Sequence, residues 1–124
     1  EHSTAYSREQ IAPGIMTKAW LKDTPPAQHD LVRTVPETGK KALYVGSYAS
    51  RIMGCPLEKG RALLKELREW STQPQFVYRH TWRSNDLVIW DNRSCHPRGR
   101  PWDDRSYKRI MHRTTLAGDD PLKA

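Results

Sequence analysis

Cysteine is nearly absent from this chain. Cys55 and Cys95 are the only two; they form no CxxC pair and no disulfide framework, so a reducing, cytoplasmic setting is the expectation. No apolar run approaches the roughly 20 residues of a membrane span, which argues against a membrane protein. No charged segment followed by an apolar core marks a secretory signal. Internal repeats and low-complexity tracts are also missing. Phenylalanine occurs once, yet five Trp, five Tyr and 36% hydrophobic residues exclude a disordered composition. The 124 residues suit one small domain with a modest core.

Acidic residues are outnumbered, 14 against 21 basic ones, for a net charge of +7. Such an excess invites a nucleic-acid reading. Much of it, however, lies in one segment, at Arg93, Arg98, Arg100, Arg105, Lys108, Arg109 and Arg113. There it alternates with Trp, Pro and Asp instead of forming a Lys-rich helix or tail. A site for a small anionic molecule accounts for this as well as a phosphate backbone does, so nucleic acid is disfavoured as a partner.

Residues 1–10 read as the end of a helix that began upstream, broken by Ala12-Pro13-Gly14, with a surface loop around Thr24-Pro25-Pro26. Residues 31–35 and 41–45 are short β-rich runs around Pro36-Glu37-Thr38-Gly39, a hairpin in which Gly39 supplies the positive φ. The clearest helix covers about 56–72: Pro56 suits its first turn, and Leu63, Leu64, Leu67 and Trp70 share a face. Three further strands are expected over 76–83, 86–90 and 109–116, with Ser84-Asn85 at a turn and Gly118-Asp119-Asp120-Pro121 closing the domain. One helix and about five strands imply a mainly β or α+β fold with an antiparallel sheet. The division is 1–30, helix end and loop; 31–121, the β domain; and 122–124, a tail.

Two constellations carry chemistry. On a strand, Arg109, Met111 and Arg113 share one face. Two arginines so placed are costly to bury unless anions meet them, and a guanidinium grips a carboxylate through two parallel hydrogen bonds. A dicarboxylate would satisfy both; pairing with Asp91, Asp103 or Asp104, or exposure to solvent, is the alternative. His96 follows the polar corner Trp90-Asp91-Asn92-Arg93. It is either a metal ligand at a strand end or a polar loop residue. His80 and His112 read as packed or surface residues, and His2 and His29 carry no visible motif.

RSNDLVIWDNR and KRIMHRTTLAGDDP resemble the C-terminal signature of the taurine/2,4-D dioxygenase (TauD/TfdA) family, whose first segment reads RPGDLVIWDNR. LVRTVPETGKKALYVGSYASRIMG and REWSTQPQFVYRHTW are similar to the family's preceding segments, so the resemblance covers about 31–121. It implies an iron(II)- and 2-oxoglutarate-dependent oxygenase built on a double-stranded β-helix (jelly roll), of which this chain supplies the C-terminal half with one packed helix. By the resemblance, Arg109 pairs with the distal carboxylate of 2-oxoglutarate. Arg113 lies near the C1 carboxylate or the acidic group of the substrate. Trp90, Asp91 and Asn92 orient the loop. The family's distal histidine falls five residues after the Asn of WDN, which here is Pro97; His96 stands one residue early. The family's HxD metal pair has no counterpart, because the five histidines read HST, HDL, HTW, HPR and HRT.

The resemblance therefore implies hydroxylation of a small, acidic organic molecule with O₂ and 2-oxoglutarate. The apparently incomplete chain is expected to be inactive alone. Homo-oligomerisation is left open. The rival reading is a non-catalytic truncated or degenerate homologue acting as a binding or assembly module.

Overall fold

The computed structural model of the protein describes residues 1–116. Its elements run in the order α1 (Thr4–Ile11), α2 (Lys18–Asp23), β1 (Val32–Thr34), β2 (Lys41–Leu43) and α3 (Leu57–Ser71), followed by a 3₁₀ turn at Pro74–Phe76. This is an α+β arrangement with one two-stranded antiparallel sheet.

The first helix does not continue from upstream as its sequence had implied. Ser3 is a clean N-cap in extended conformation, and its Oγ accepts from the Tyr6 amide. The preceding residues are pinned instead as a short extended piece. His2 bridges to both Ala27 and Ala49, and Ser3 N donates to Tyr48 O at 2.8 Å. Helix α2 lies where only a loop was expected; Thr17 caps it through a bond from Trp20 N.

The hairpin forms as read. Val32, Arg33 and Thr34 pair with Leu43, Ala42 and Lys41. Gly39 turns with φ 66°, a conformation that costs glycine nothing sterically. Helix α3 begins after Pro56 and ends with Thr72, whose amide donates to Arg68 O. Its buried stripe is Gly60 and Leu64, with Leu67 packed beside them. Gly60 allows a close approach, since a Cβ there would stand 3.4 Å from Ile52 N. Leu63 and Trp70, assigned to the same face, are largely exposed; Trp70 stacks on Phe76 with ring centroids 4.5 Å apart. The core is Val45, Ala49 and Leu64, backed by Leu31, Leu43, Ile52 and Leu67.

None of the three later strands forms among the described residues. Residues 77–116 carry turns and extended stretches but no ladder. A strand needs a neighbour for its N–H and C=O groups, and no segment pairs with these runs among the described residues. Their apolar side chains are accordingly bare: Tyr78, Leu87 and Ile89 are each more than four-fifths exposed, and so is Leu116. The Ser84-Asn85 turn is present, with Asn85 at φ 70° and Asp86 N bonded to Arg83 O. The proposed closing turn at 118–121 lies outside the described residues. No helix is long and apolar enough to cross a membrane among those residues.

Candidate functional site

The polar corner after Trp90 is held by short-range bonds. Trp90 Nε1 donates to Asn92 Oδ1 at 2.7 Å, and the Cys95 amide bonds Asp91 O. The Arg93 guanidinium grips both Asp91 oxygens and reaches back to Glu37 Oε1 at 2.9 Å. Glu37 sits in the hairpin turn, so this pair ties the corner to the hairpin. The Arg93 bonds hold both Asp91 and Glu37 below the ordinary carboxylate range and push Arg93 upward. Arg93, not Arg109 or Arg113, is therefore the partner of Asp91. Asp103 is also engaged, by the amides of Arg105 and Ser106.

His96 reaches across to the hairpin. Its ring lies 5.7 Å from that of Tyr44, and a Cβ on Gly46 would stand 3.6 Å from its Nδ1. Nε2 faces Leu43 O at 3.4 Å, and the residue is exposed. Around Tyr44 the chain gathers further groups. The His2 ring stacks on it at 4.9 Å, His29 meets both edge-on at 5.2 and 5.7 Å, and the Arg33 guanidinium lies 3.7 Å from its centroid. Burial, then the neighbouring His29, drives His2 down to about 4; burial followed by the Arg33 charge lowers His29 as well.

Arg109 and Arg113 are both exposed. Arg109 lies over the Trp102 ring at 5.0 Å, and its Nε points at Met111 Sδ at 2.7 Å. Arg109 and Met111 thus keep the same-side relation their alternation implied, though no ladder forms. No hydrogen bond joins His96 to either arginine among the described residues. His80 is engaged with Asp86 at 3.0 Å and packs edge-on against Trp82.

The Tyr44 cluster was invisible as a motif because its members are scattered over residues 2–96. One signal was there: in the hairpin register Arg33 faces Ala42, which makes Tyr44 its diagonal neighbour on the same face.

Residues 2–115 match the sequence model of the family described as taurine catabolism dioxygenase TauD, TfdA family. The chain belongs to that family. It is 41% identical over 116 residues to an alpha-ketoglutarate-dependent 2,4-dichlorophenoxyacetate dioxygenase of Burkholderia sp. (strain RASC), covering 94% of this chain and 39% of that protein. It is 37% identical to an (S)-phenoxypropionate/alpha-ketoglutarate-dioxygenase of Sphingobium herbicidovorans, covering 95% and 43%. Among solved structures, a putative alpha-ketoglutarate dependent 2,4-D dioxygenase from Burkholderia xenovorans superimposes with TM-score 0.72 at 44% identity, over 75% of this chain and 36% of that one. AAD-2 in complex with Mn(II) and N-oxalylglycine gives TM-score 0.70 at 42% identity, over 76% and 37%. The chain thus spans about two-fifths of the length of the curated TauD/TfdA relatives it matches.

A TauD/TfdA-type reaction needs a metal, and the donors among the described residues do not complete a site for one. Among the described residues, no group of three or more His, Cys, Asp or Glu stands at ligating spacing. His96 is at most a single ligand, turned toward the hairpin.

Proposed function

We propose that this chain is the 2-oxoglutarate-binding C-terminal part of a dioxygenase that hydroxylates a small aryloxyalkanoic or similar acid. The observation that carries this reading is its 41% identity, along 94% of the chain, to a 2,4-dichlorophenoxyacetate dioxygenase. In the reading, residues 31–121 contribute to a jelly roll in which the 109–116 run pairs as a strand. Arg109 takes the distal carboxylate of 2-oxoglutarate through its planar fork, and Arg113 takes the C1 carboxylate or the acidic group of the substrate. The Arg109 guanidinium lies 5.0 Å from the Trp102 ring centroid, within cation–π range. Iron(II) would supply O₂ activation in the intact site. His96 is proposed as this chain's one ligand to it.

Because the described residues complete no metal site, the 124-residue chain is expected to form no succinate from 2-oxoglutarate and iron(II). It is still expected to bind 2-oxoglutarate in calorimetry, with Arg109→Met weakening that binding by about tenfold or more, as a lost charge-assisted pair does. Turnover by the isolated chain would remove the inactivity claim; undiminished binding by R109M would remove the anchor. The second reading, a non-catalytic homologue, is favoured by one observation: Pro97 occupies the family's histidine position, with His96 one residue early. A Pro97→His variant that gains iron affinity would favour the enzyme, and one that does not would favour the binding module.

A further inference from the structure

The side chains around Tyr44 hold a positive charge that no ion pair among the described residues balances. Arg33 lies against the tyrosine ring, and its Nε is buried with no hydrogen-bond partner among the described residues. The ion pairs among those residues engage Arg51, Lys65, His80 and Arg93, and none reaches Arg33. An N–H withdrawn from water is costly unless an acceptor meets it. Two imidazoles, His2 and His29, stand beside the same ring, and each can donate one N–H in its neutral form. All four residues are half-buried, so part of each still meets solvent.

We propose that Arg33, His2 and His29, gathered by Tyr44, bind a small carboxylate at a site separate from the Arg109 and Arg113 pair. The charge count favours a carboxylate over a phosphate. The low position of His2, and the lowered one of His29, leave both imidazoles neutral near pH 7. Of the four residues, Arg33 then carries the one full charge, matched by a monoanion, whereas a dianion would bring an unmatched charge against them. A carboxylate is planar, as are the guanidinium fork and the rings around it. The hairpin fixes Arg33 and Tyr44 relative to each other, and the bridge from His2 to Ala27 fixes the first imidazole, so little ordering remains to be done on binding.

The test uses the 124-residue chain titrated with sodium benzoate, with sodium chloride at matched ionic strength and neutral benzamide as controls. The readout is the imidazole ¹H–¹⁵N signals of His2 and His29. A saturable shift with benzoate, absent with benzamide and chloride, is expected, and Arg33→Met should weaken the affinity by about tenfold or more. Should that variant lose its fold, His29→Gln should weaken binding several-fold in a chain whose hairpin keeps its arginine. The proposal is overturned if benzamide shifts the same signals, or if R33M or H29Q in folded form binds as tightly. It also falls if Arg109→Met abolishes the response, because the benzoate would then sit at the other pair of arginines.

Discussion

Residues 1–76 and residues 77–116 have similarly strong β and helix patterning, but only the first group packs. In the first, most elements find a partner: β1 has β2, α3 has Ile52 and Val45 to cover, and His2 bridges to Ala27 and Ala49, whereas the short α2 buries no residue. In the second, DLVIW holds a continuous apolar run and KRIMHRTTL is rich in residues that favour strands, yet Leu87 and Ile89 remain solvent-facing. The difference is one of supply. A helix satisfies its own backbone and needs one apolar stripe covered, whereas a strand needs a neighbour for every other peptide group. Residues that favour strands are therefore not sufficient to make one.

Mutations at matched apolar positions should make that contrast largest. Leu64→Ala, in the small core under α3, should cost about 2–5 kcal/mol, enough to unfold the helix and hairpin together in a domain with few buried side chains. Ile89→Ala should change stability by less than about 0.5 kcal/mol. Urea denaturation followed at 222 nm distinguishes the two; equal losses would mean that the second region is as well packed as the first.

Acid should act on the first region next. His2 in the fold takes its proton only at about 4, against about 6.5 in an unfolded chain, chiefly because it is buried. Between those values the unfolded state holds more protons, so stability falls as pH drops from about 6.5 to about 4 and levels off below. The lowered His29 acts in the same direction. His2→Phe, which keeps a flat ring against Tyr44, should flatten the slope of denaturation midpoint against pH across that range. An unchanged slope would show that His2 is not held neutral by the fold.

The smallest effect is expected where the two regions touch. Arg93→Met removes the reach to Glu37 while leaving the hairpin and α3 intact, so the far-ultraviolet spectrum should stay the same. Limited proteolysis should instead cut faster near the Asp91–Arg93 corner, because exposed pairs hold position more than they add stability. If cleavage and spectrum are both unaltered, the corner is held by other contacts.

Much of the first region was legible. The hairpin with its Gly39 turn and the helix near 56–72 follow from turn chemistry and 3.6-residue spacing, both local rules. What was not legible depends on distance along the chain. Helix α1 starts at Ser3 because Ser3 can cap it, a signal present at the third residue but masked by the expectation of a longer helix. Leu63 and Trp70 fit the apolar face by spacing, but the sheet beneath α3 is too narrow to cover them. At the candidate sites, the proposal for Arg109 and Arg113 rests on alternation and resemblance, since both lie within one short run. The Tyr44 cluster draws on residues 2, 29, 33, 44 and 96, and only a known register connects them.

The tie between Glu37 and Arg93 spans 56 positions and encloses the whole of α3 within its loop. Closing so long a loop is entropically unfavourable unless the intervening chain is already condensed. The contact can therefore form only late, after helix and hairpin have shortened the path. In the folded chain it keeps the corner that carries His96 beside the hairpin turn.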